Sequence, residues 1–280
     1  MRSALAVLVG LSLVSSSARA ATPYPAGIRH SPFSAEIIAR LQAVVAKGGG
    51  RRDVFVKIGD SITVHPGFLG CFATVDETDL AGRADLADTV AFFSRTSADG
   101  THLSWDRKSK AAHIGWSTFG ALGTTAYSPL REEIRAVRPA FAVVMMGTNE
   151  VHGGGVGNYR HNLRRLVQSV LGEGVVPIVS TIPPRGDSAD LDAVVRRMNG
   201  VVREIAEAEQ VPLVDYEGEL RRLPKLGLGP DGIHPLPRPG RACALSGEAL
   251  LYGLNVRNLI TLEALDRARR FLFDSARPEG

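Results

Sequence analysis

Four short, continuous apolar segments constrain the fold of this chain more than any other feature. They are rich in Val, Ile and Phe, and each ends at or just before Gly, Asp or Thr; they cover residues 53–58, 140–146, 175–181 and 211–215. A continuous apolar run of this length is typical of a strand that is buried on both faces, as in a parallel sheet. A fifth, weaker candidate strand covers residues 101–105.

Amphipathic stretches separate these segments, and their hydrophobic spacing is typical of helices. The predicted helices cover residues 86–93, 109–122, 159–174, 191–210 and 261–273. Ser109 is the expected N-cap of the second. The alternation of strands and helices predicts an α/β fold with a doubly wound parallel sheet of five strands. We find no linker in residues 21–280 and expect a single domain there.

The first 20 residues have the pattern of a secretory signal peptide. Arg2 precedes an apolar run over residues 4–14, and small residues follow up to Ala20, where cleavage is expected. The run is short for a membrane span, and no later segment approaches the required length. We therefore expect a secreted or periplasmic protein without a membrane span; the alternative is an N-terminal membrane anchor.

Charge and histidine spacing exclude several classes of partner. The net charge is +4 and the isoelectric point is near 9.3. The basic residues are scattered along predicted helices without the interleaved aromatic residues of a nucleic-acid surface. This distribution is compatible with a weak attraction to acidic surfaces and predicts no nucleic-acid partner. The histidines lack the spacing of metal ligands, so no metal site is predicted.

Reactive side chains follow the predicted strands at the edge where parallel α/β sheets bind ligands. Ser61 follows the first strand, and Asn149 follows another; His234 lies near the C-terminus, three residues after Asp231. A serine becomes a nucleophile when a histidine takes its proton and a carboxylate orients that histidine. An Asn amide can stabilise the oxyanion that forms. Taken singly, the Asp231–His234 pair and Asn149 are each more typical of an ordinary turn or cap.

Three sequence blocks together resemble the SGNH or GDSL hydrolases. They are IGDSIT (58–63), MMGTNE (145–150) and DGIHP (231–235), and the resemblance extends over residues 54–235. The family resemblance implies a three-layer α/β/α fold similar to flavodoxin, with no cofactor and no metal. It also implies the hydrolysis of esters, often short acyl or O-acetyl groups on sugars.

The resemblance assigns a role to each reactive residue. Ser61 becomes the nucleophile of an acyl-enzyme, His234 the general base and Asp231 the acid that orients it. The Asn149 side chain and the Ser61 N–H become oxyanion donors. We therefore expect a secreted serine esterase for small-molecule or carbohydrate esters. The alternatives are an O-acyltransferase that acts on a polysaccharide, and a catalytically impaired carbohydrate-binding relative.

The chain departs from the family pattern after the second predicted strand. The glycine block that supplies a further oxyanion N–H has no clean match, and the candidates are Ser109 or Lys110 and, alternatively, Gly120 or Gly123. The long separation from the serine block predicts an insertion around residues 71–100 that shapes substrate access. A helical segment is expected at the C-terminus.

Two cysteines complete the list of reactive residues. Cys71 follows Ser61, and Cys243 follows His234, at similar short distances. A triad would draw both to the same edge of the sheet, which favours a disulfide in an oxidising compartment. Two buried free thiols are the alternative.

Overall fold

The structure is a computed structural model that describes residues 23–74, 78–153 and 155–274. The expected signal peptide, residues 1–20, lies outside the described residues. No helix within the described ranges is long and apolar enough to cross a membrane.

The four continuous apolar segments form one parallel sheet, as predicted. The strands are β1 (Arg51–Gly59), β2 (Thr78–Asp79), β3 (Pro139–Met145), β4 (Val176–Ser180), β5 (Leu213–Val214) and β6 (Cys243–Ala244). The main sheet has the order β1-β3-β4-β5, and β2 pairs separately with β6. Every pairing in the main sheet is parallel. The α/β prediction is confirmed, but the described part of this sheet has four strands rather than five.

Helices cover both faces of the sheet. They are α1 (Ala35–Gly48), α2 (Ser61–Val64), α3 (Ala84–Phe93), α4 (Thr118–Leu122), α5 (Pro129–Val137), α6 (Val156–Gly172), α7 (Ala189–Ala208), α8 (Tyr216–Leu220) and α9 (Gly253–Phe273). Strand β1 alternates between two cores, because Val56 packs in the cluster with α4 and α5 while Phe55 packs in the cluster with α1, α3 and α9. The result is a three-layer α/β/α architecture.

The predicted fifth strand at residues 101–105 is wrong, and its residues show why. The Phe55 N–H on β1 donates to the side chain of Ser104 (3.0 Å) instead of to a neighbouring strand. Trp105 turns into the core, where its ring packs against Phe55. A parallel bridge forms only later, between Ala112 and Gly59. Side chains therefore cover the edge of β1 where a flavodoxin-like sheet has another strand.

The helix predicted over residues 109–122 is also mostly absent, since only α4 is helical there. Ser109 is not a helix N-cap: its hydroxyl accepts the Ala111 N–H (3.1 Å) within a turn. The Lys110 N–H donates to the buried carboxylate of Glu133 (3.1 Å), and Gly115 has a φ of 78°. These contacts fix an irregular path before α4 begins.

Much of the segment around residues 71–100 belongs to the core. Helix α3 packs on α9, and its Leu86 and Phe93 are buried. The Thr89 hydroxyl donates to the buried Asp266 carboxylate of α9 at 2.7 Å. A role in substrate access therefore remains a prediction only for the first residues of this segment. Two of them, Cys71 and Thr74, line the cavity described in the next subsection.

Candidate active site

Ser61 is the first residue of α2, directly after β1. Asp60 caps this short helix, because its carboxylate accepts the Ile62 N–H at 3.1 Å. The helix lies so close to the strand that a Cβ at Gly59 would be 2.0 Å from the Thr63 hydroxyl oxygen. Only glycine fits there, and the close approach fixes where Ser61 leaves the strand.

A buried carboxylate, Asp60, and a buried guanidinium, Arg257, lie beneath α2 without forming a direct ion pair. Asp60 is fully buried, which raises its pKa, while the nearby Arg257 guanidinium opposes that rise. Arg257 reaches from α9 and donates to the Ile62 carbonyl (2.7 Å) and to the Thr63 hydroxyl (2.9 Å). Burial lowers the pKa of Arg257 to about 10, and Asp60 is one of the groups that counteract this effect. Helix α9 therefore holds α2 in place.

A second α9 side chain, Asn258, fixes the loop after the serine. Its carbonyl oxygen accepts the Leu69 N–H (2.9 Å), and its amide donates to the Gly67 carbonyl (2.8 Å). The same amide donates to the Ala242 carbonyl (2.9 Å), in the loop that follows the histidine. Sequence analysis missed Arg257 and Asn258 because no local motif relates them to a loop nearly 200 positions away.

Asp231 and His234 form a compact turn. The Asp231 carboxylate accepts the N–H groups of Ile233 and His234, both at 3.0 Å, and lies 2.6 Å from His234 Nδ1. Although partial burial acts the other way, these hydrogen bonds lower the pKa of Asp231 to about 2. Gly232 adopts a φ of 67°, and a Cβ there would be 2.6 Å from the Asp187 nitrogen. The turn therefore requires glycine at this position.

The structure brings the serine and the histidine together. Ser61 Oγ lies 3.0 Å from His234 Nε2, across 173 positions of sequence. A hydroxyl, an imidazole and a carboxylate thus stand in series, each within hydrogen-bond distance of the next. This arrangement can activate a serine for attack on a carbonyl carbon.

Asn149 lies at the end of β3, where a short 3-10 turn begins. Its side-chain amide donates one hydrogen bond to the Trp116 carbonyl (2.8 Å), and the residue is exposed. The next residue, Glu150, accepts the Thr118 N–H at 2.5 Å, and burial raises the pKa of Glu150. These two contacts join the end of β3 to the irregular segment before α4.

Two candidate oxyanion donors use their N–H groups elsewhere. The Gly120 N–H donates to the Ser117 carbonyl (3.0 Å), and the Gly123 N–H donates to the Phe119 carbonyl (2.8 Å). The Lys110 N–H is bound to a carboxylate, as described above. These three amides are therefore not available to an oxyanion.

The remaining candidate, Ser109, lines the cavity described below. Its carbonyl accepts the Ala112 N–H (3.3 Å) in a turn, and Ala112 pairs in parallel with Gly59. The turn over residues 113–116 begins at His113, whose N–H donates to the Gly59 carbonyl (3.1 Å), two residues before α2. Sequence analysis missed this turn because its position depends on the irregular segment before it.

A cavity of about 710 Å³ lies beside α2, and it is lined by Thr63 and Val64 of that helix but not by Ser61 or His234. One wall follows Ser61 along the chain, and another follows His234. The disulfide between Cys71 and Cys243 joins these two walls, with their Cα atoms 5.7 Å apart. The favoured cysteine pairing is therefore confirmed. Within the described ranges, no cluster of three or more His, Cys, Asp or Glu side chains could hold a metal ion.

Solved structures of similar fold agree with the α/β/α architecture described above. A lipase/acylhydrolase from Enterococcus faecalis matches with a TM-score of 0.52 at 16% identity, over 81% of this chain and 98% of that one. A putative acylhydrolase from Bacteroides fragilis gives 0.51 at 15%, over 83% and 98%. A GDSL-like lipase from Bacteroides thetaiotaomicron gives 0.50 at 15%, over 82% and 99%. At such identities the likeness concerns the fold alone.

Comparison with sequences is more specific. No curated protein matches the chain. The profile of the GDSL-like lipase/acylhydrolase family, however, matches residues 58–238, which is more than half of the 280 residues and contains all three sequence blocks. The chain therefore belongs to the GDSL-like lipase/acylhydrolase family of serine hydrolases.

Proposed function

We propose that this protein is an exported esterase that hydrolyses short-chain or O-acetyl esters through an acyl-enzyme at Ser61. The observation that carries the proposal is the 3.0 Å approach of Ser61 Oγ to His234 Nε2, with Asp231 bound to the other ring nitrogen. Residues 1–20 serve as the signal peptide and residues 21–280 as the single catalytic domain. The disulfide supports export, since disulfides persist in oxidising compartments.

In the acylation step, Ser61 Oγ attacks the ester carbonyl carbon while His234 Nε2 takes the hydroxyl proton. The tetrahedral intermediate then collapses, and the alcohol leaves with the proton that His234 returns to it. Water repeats the sequence on the acyl-enzyme, which releases the carboxylic acid and restores Ser61. Asp231 orients the imidazole and stabilises its protonated form.

The proposed oxyanion hole combines a backbone amide and a side chain. Ser61 begins α2, and its N–H has no acceptor among the described residues, as expected at a helix start. Asn149 supplies the amide hydrogen that Trp116 does not use. A third donor comes from the turn over residues 113–116. There the N–H groups of Ile114 and Gly115 have no acceptor within the described part of the chain.

Substitution of the serine and of the oxyanion donor tests this function. We expect Ser61→Ala to lower kcat on 4-nitrophenyl acetate by roughly 10⁶-fold, and Asn149→Ala to lower it by about 10²–10³-fold. Thermal unfolding should show that both variants remain folded. Equal rates for wild type and Ser61→Ala would refute the proposal.

Product analysis separates the related functions. A wild-type protein that transfers the acetyl group to an added polysaccharide faster than to water would be an O-acyltransferase with the same nucleophile. A folded protein that neither hydrolyses esters nor reacts with a phosphonate probe at Ser61 would be a catalytically impaired binding relative. We expect hydrolysis to dominate and the probe to label Ser61.

A further inference from the structure

The cavity beside the serine has the size of a ligand site. Its volume of about 710 Å³ lies within the common range for pockets that hold small molecules, roughly 300–1,000 Å³. An acetyl group alone occupies a small part of such a space. The cavity therefore fits a further part of the substrate, such as a sugar unit of the alcohol.

A buried lysine lines this cavity. Lys57 lies on β1 and is only 8% exposed. Its ammonium donates one hydrogen bond, to the Trp105 carbonyl at 2.7 Å, and forms no other hydrogen bond or ion pair with a described residue. An ammonium has three N–H donors, so two remain without a protein acceptor. Burying such a charge is costly unless an anion pairs with it.

The electrostatic surroundings of Lys57 agree with an unpaired cation. Burial lowers its pKa to about 8, and the charge of Arg257 acts in the same direction. Asp106 and Glu133 oppose this change only through longer-range attraction, since neither carboxylate forms an ion pair with the ammonium. The described protein groups thus leave the positive charge largely uncompensated.

The rim of the cavity adds further positive charge. Lys108 is exposed and forms no ion pair with any described residue, and Arg238 and Arg241 lie on the opposite wall. These two arginines pair only at longer distances, Arg238 with Glu248 at 3.4 Å and Arg241 with Asp79 at 3.5 Å. Asp106 is the one carboxylate among the described lining residues. Positive charge therefore exceeds negative charge around the opening.

We infer that this cavity binds an anionic group, a carboxylate or a phosphate, on the alcohol part of the ester substrate. The inference rests on the proposed function and narrows its substrates to acidic esters. Lys57 donates to the anion from the buried wall, while Lys108 and Arg238 attract it from the rim. The Cα atoms of Lys57 and Ser61 lie at most about 13 Å apart, four residues along an extended strand. The anion and the scissile ester can therefore belong to one substrate molecule, as in an acetylated acidic sugar.

Matched small esters test the inference directly. We expect kcat/KM for 4-acetoxybenzoate to exceed that for its neutral amide, 4-acetoxybenzamide, by about tenfold or more. Lys57→Met should lower this ratio by several-fold, because Met keeps the approximate length of the side chain and removes the charge. Lys47→Met, at an exposed position of α1, should leave the ratio and the activity unchanged. The value of kcat/KM for 4-acetoxyphenyl phosphate, compared with that for 4-acetoxybenzoate, shows whether the site prefers phosphate to carboxylate.

Two further measurements distinguish a loss of anion binding from unfolding of the variant, and a failure of this inference from a failure of the proposed esterase function. If Lys57→Met unfolds, the exposed substitutions Lys108→Gln and Arg238→Gln should still lower the ratio by several-fold. The Ser61→Ala protein should bind 4-acetoxybenzoate, and not the amide, in calorimetry. Equal kcat/KM for the charged and neutral esters, with Ser61-dependent hydrolysis of both, would overturn the inference and leave the esterase intact. Hydrolysis that persists in Ser61→Ala would instead refute the proposed function.

Discussion

The chain contains two similar four-residue turns, and the main difference between them is what their histidines face. Residues 99–102 read DGTH and residues 231–234 read DGIH. In the first, the Asp99 carboxylate accepts the Thr101 and His102 N–H groups and lies 3.2 Å from His102 Nδ1. Asp231 makes the equivalent three contacts with Ile233 and His234.

The surroundings of the two turns are different. The other carboxylate contact of Asp99 is with the guanidinium of Arg107, at 2.6 Å. His234, in contrast, presents its second ring nitrogen to Ser61. Local sequence therefore suffices to build a carboxylate–imidazole pair, but the tertiary fold decides whether that pair has a serine hydroxyl beside it. A DGxH turn alone is no evidence of catalysis.

The strongest contrast should come from the same substitution in both turns. We expect Asp231→Asn to lower kcat by roughly 10³–10⁴-fold, because the amide favours the wrong imidazole tautomer. Asp99→Asn, the matched control, should leave kcat unchanged. Both can be measured on 4-nitrophenyl acetate with circular dichroism as the check on folding. A similar loss of activity in both variants would mean that the turns act through stability rather than through Ser61.

The second prediction concerns the helix that holds the serine opposite the DGIH turn. Arg257→Met removes the cation that supports buried Asp60 and two hydrogen bonds to α2. We expect the free energy of unfolding to fall by about 3–5 kcal/mol, as when one partner of a buried ionic group is lost. Arg270→Met, on the same helix but 45% exposed, should cost less than about 1 kcal/mol. Urea unfolding measures both, and equal losses would contradict the supporting role of Arg257.

Sequence alone predicts the parts of this site that depend on local pattern. The strands before Ser61 and Asn149 are continuous apolar runs, and such runs identify buried parallel strands without tertiary information. The turn that joins Asp231 to His234 is likewise encoded in four residues. The position of Ser61 at the end of a strand follows from the first run. These elements could be predicted because each is determined by neighbours in sequence.

The rest depends on contacts between distant residues. Residues 101–105 were predicted as a strand because they are apolar and β-branched in part, but Ser104 and Trp105 bind β1 through side chains. Arg257 supports the serine helix from about 195 positions away, and a predicted helix gives no indication of that contact. The turn at residues 113–116, proposed above to supply an oxyanion donor, is placed by the same irregular segment. No propensity or spacing rule describes such an arrangement.

The third prediction concerns the disulfide, which joins the loop after the DGIH turn to the loop after Ser61 and does not involve the DGTH turn. The Cys71–Cys243 bond closes a loop of 172 positions between the serine and histidine loops. Replacing both cysteines by serine should lower the free energy of unfolding by about 2–4 kcal/mol, chiefly because the unfolded chain regains freedom. Urea unfolding of the double variant and of the reduced wild type measures this loss. Unchanged stability in both would show that the cross-link constrains neither state.

The smallest expected effect concerns the titration of the two turn carboxylates. Hydrogen bonds from the His102 and Thr101 N–H groups, and a further one from Arg107, lower the pKa of Asp99. Despite partial burial, the hydrogen bonds of its own turn lower the pKa of Asp231 to about 2. Each folded pKa lies below the ordinary value, so the stabilisation is complete above about pH 4. It is lost as the pH falls through the folded pKa. Carboxyl carbon resonances should therefore titrate near pH 2 for Asp231 and below the ordinary Asp value for Asp99. Because both turns are largely exposed, the change in unfolding free energy should be small. A midpoint for Asp231 near 4 would show that its hydrogen bonds to Ile233 and His234 do not persist in solution.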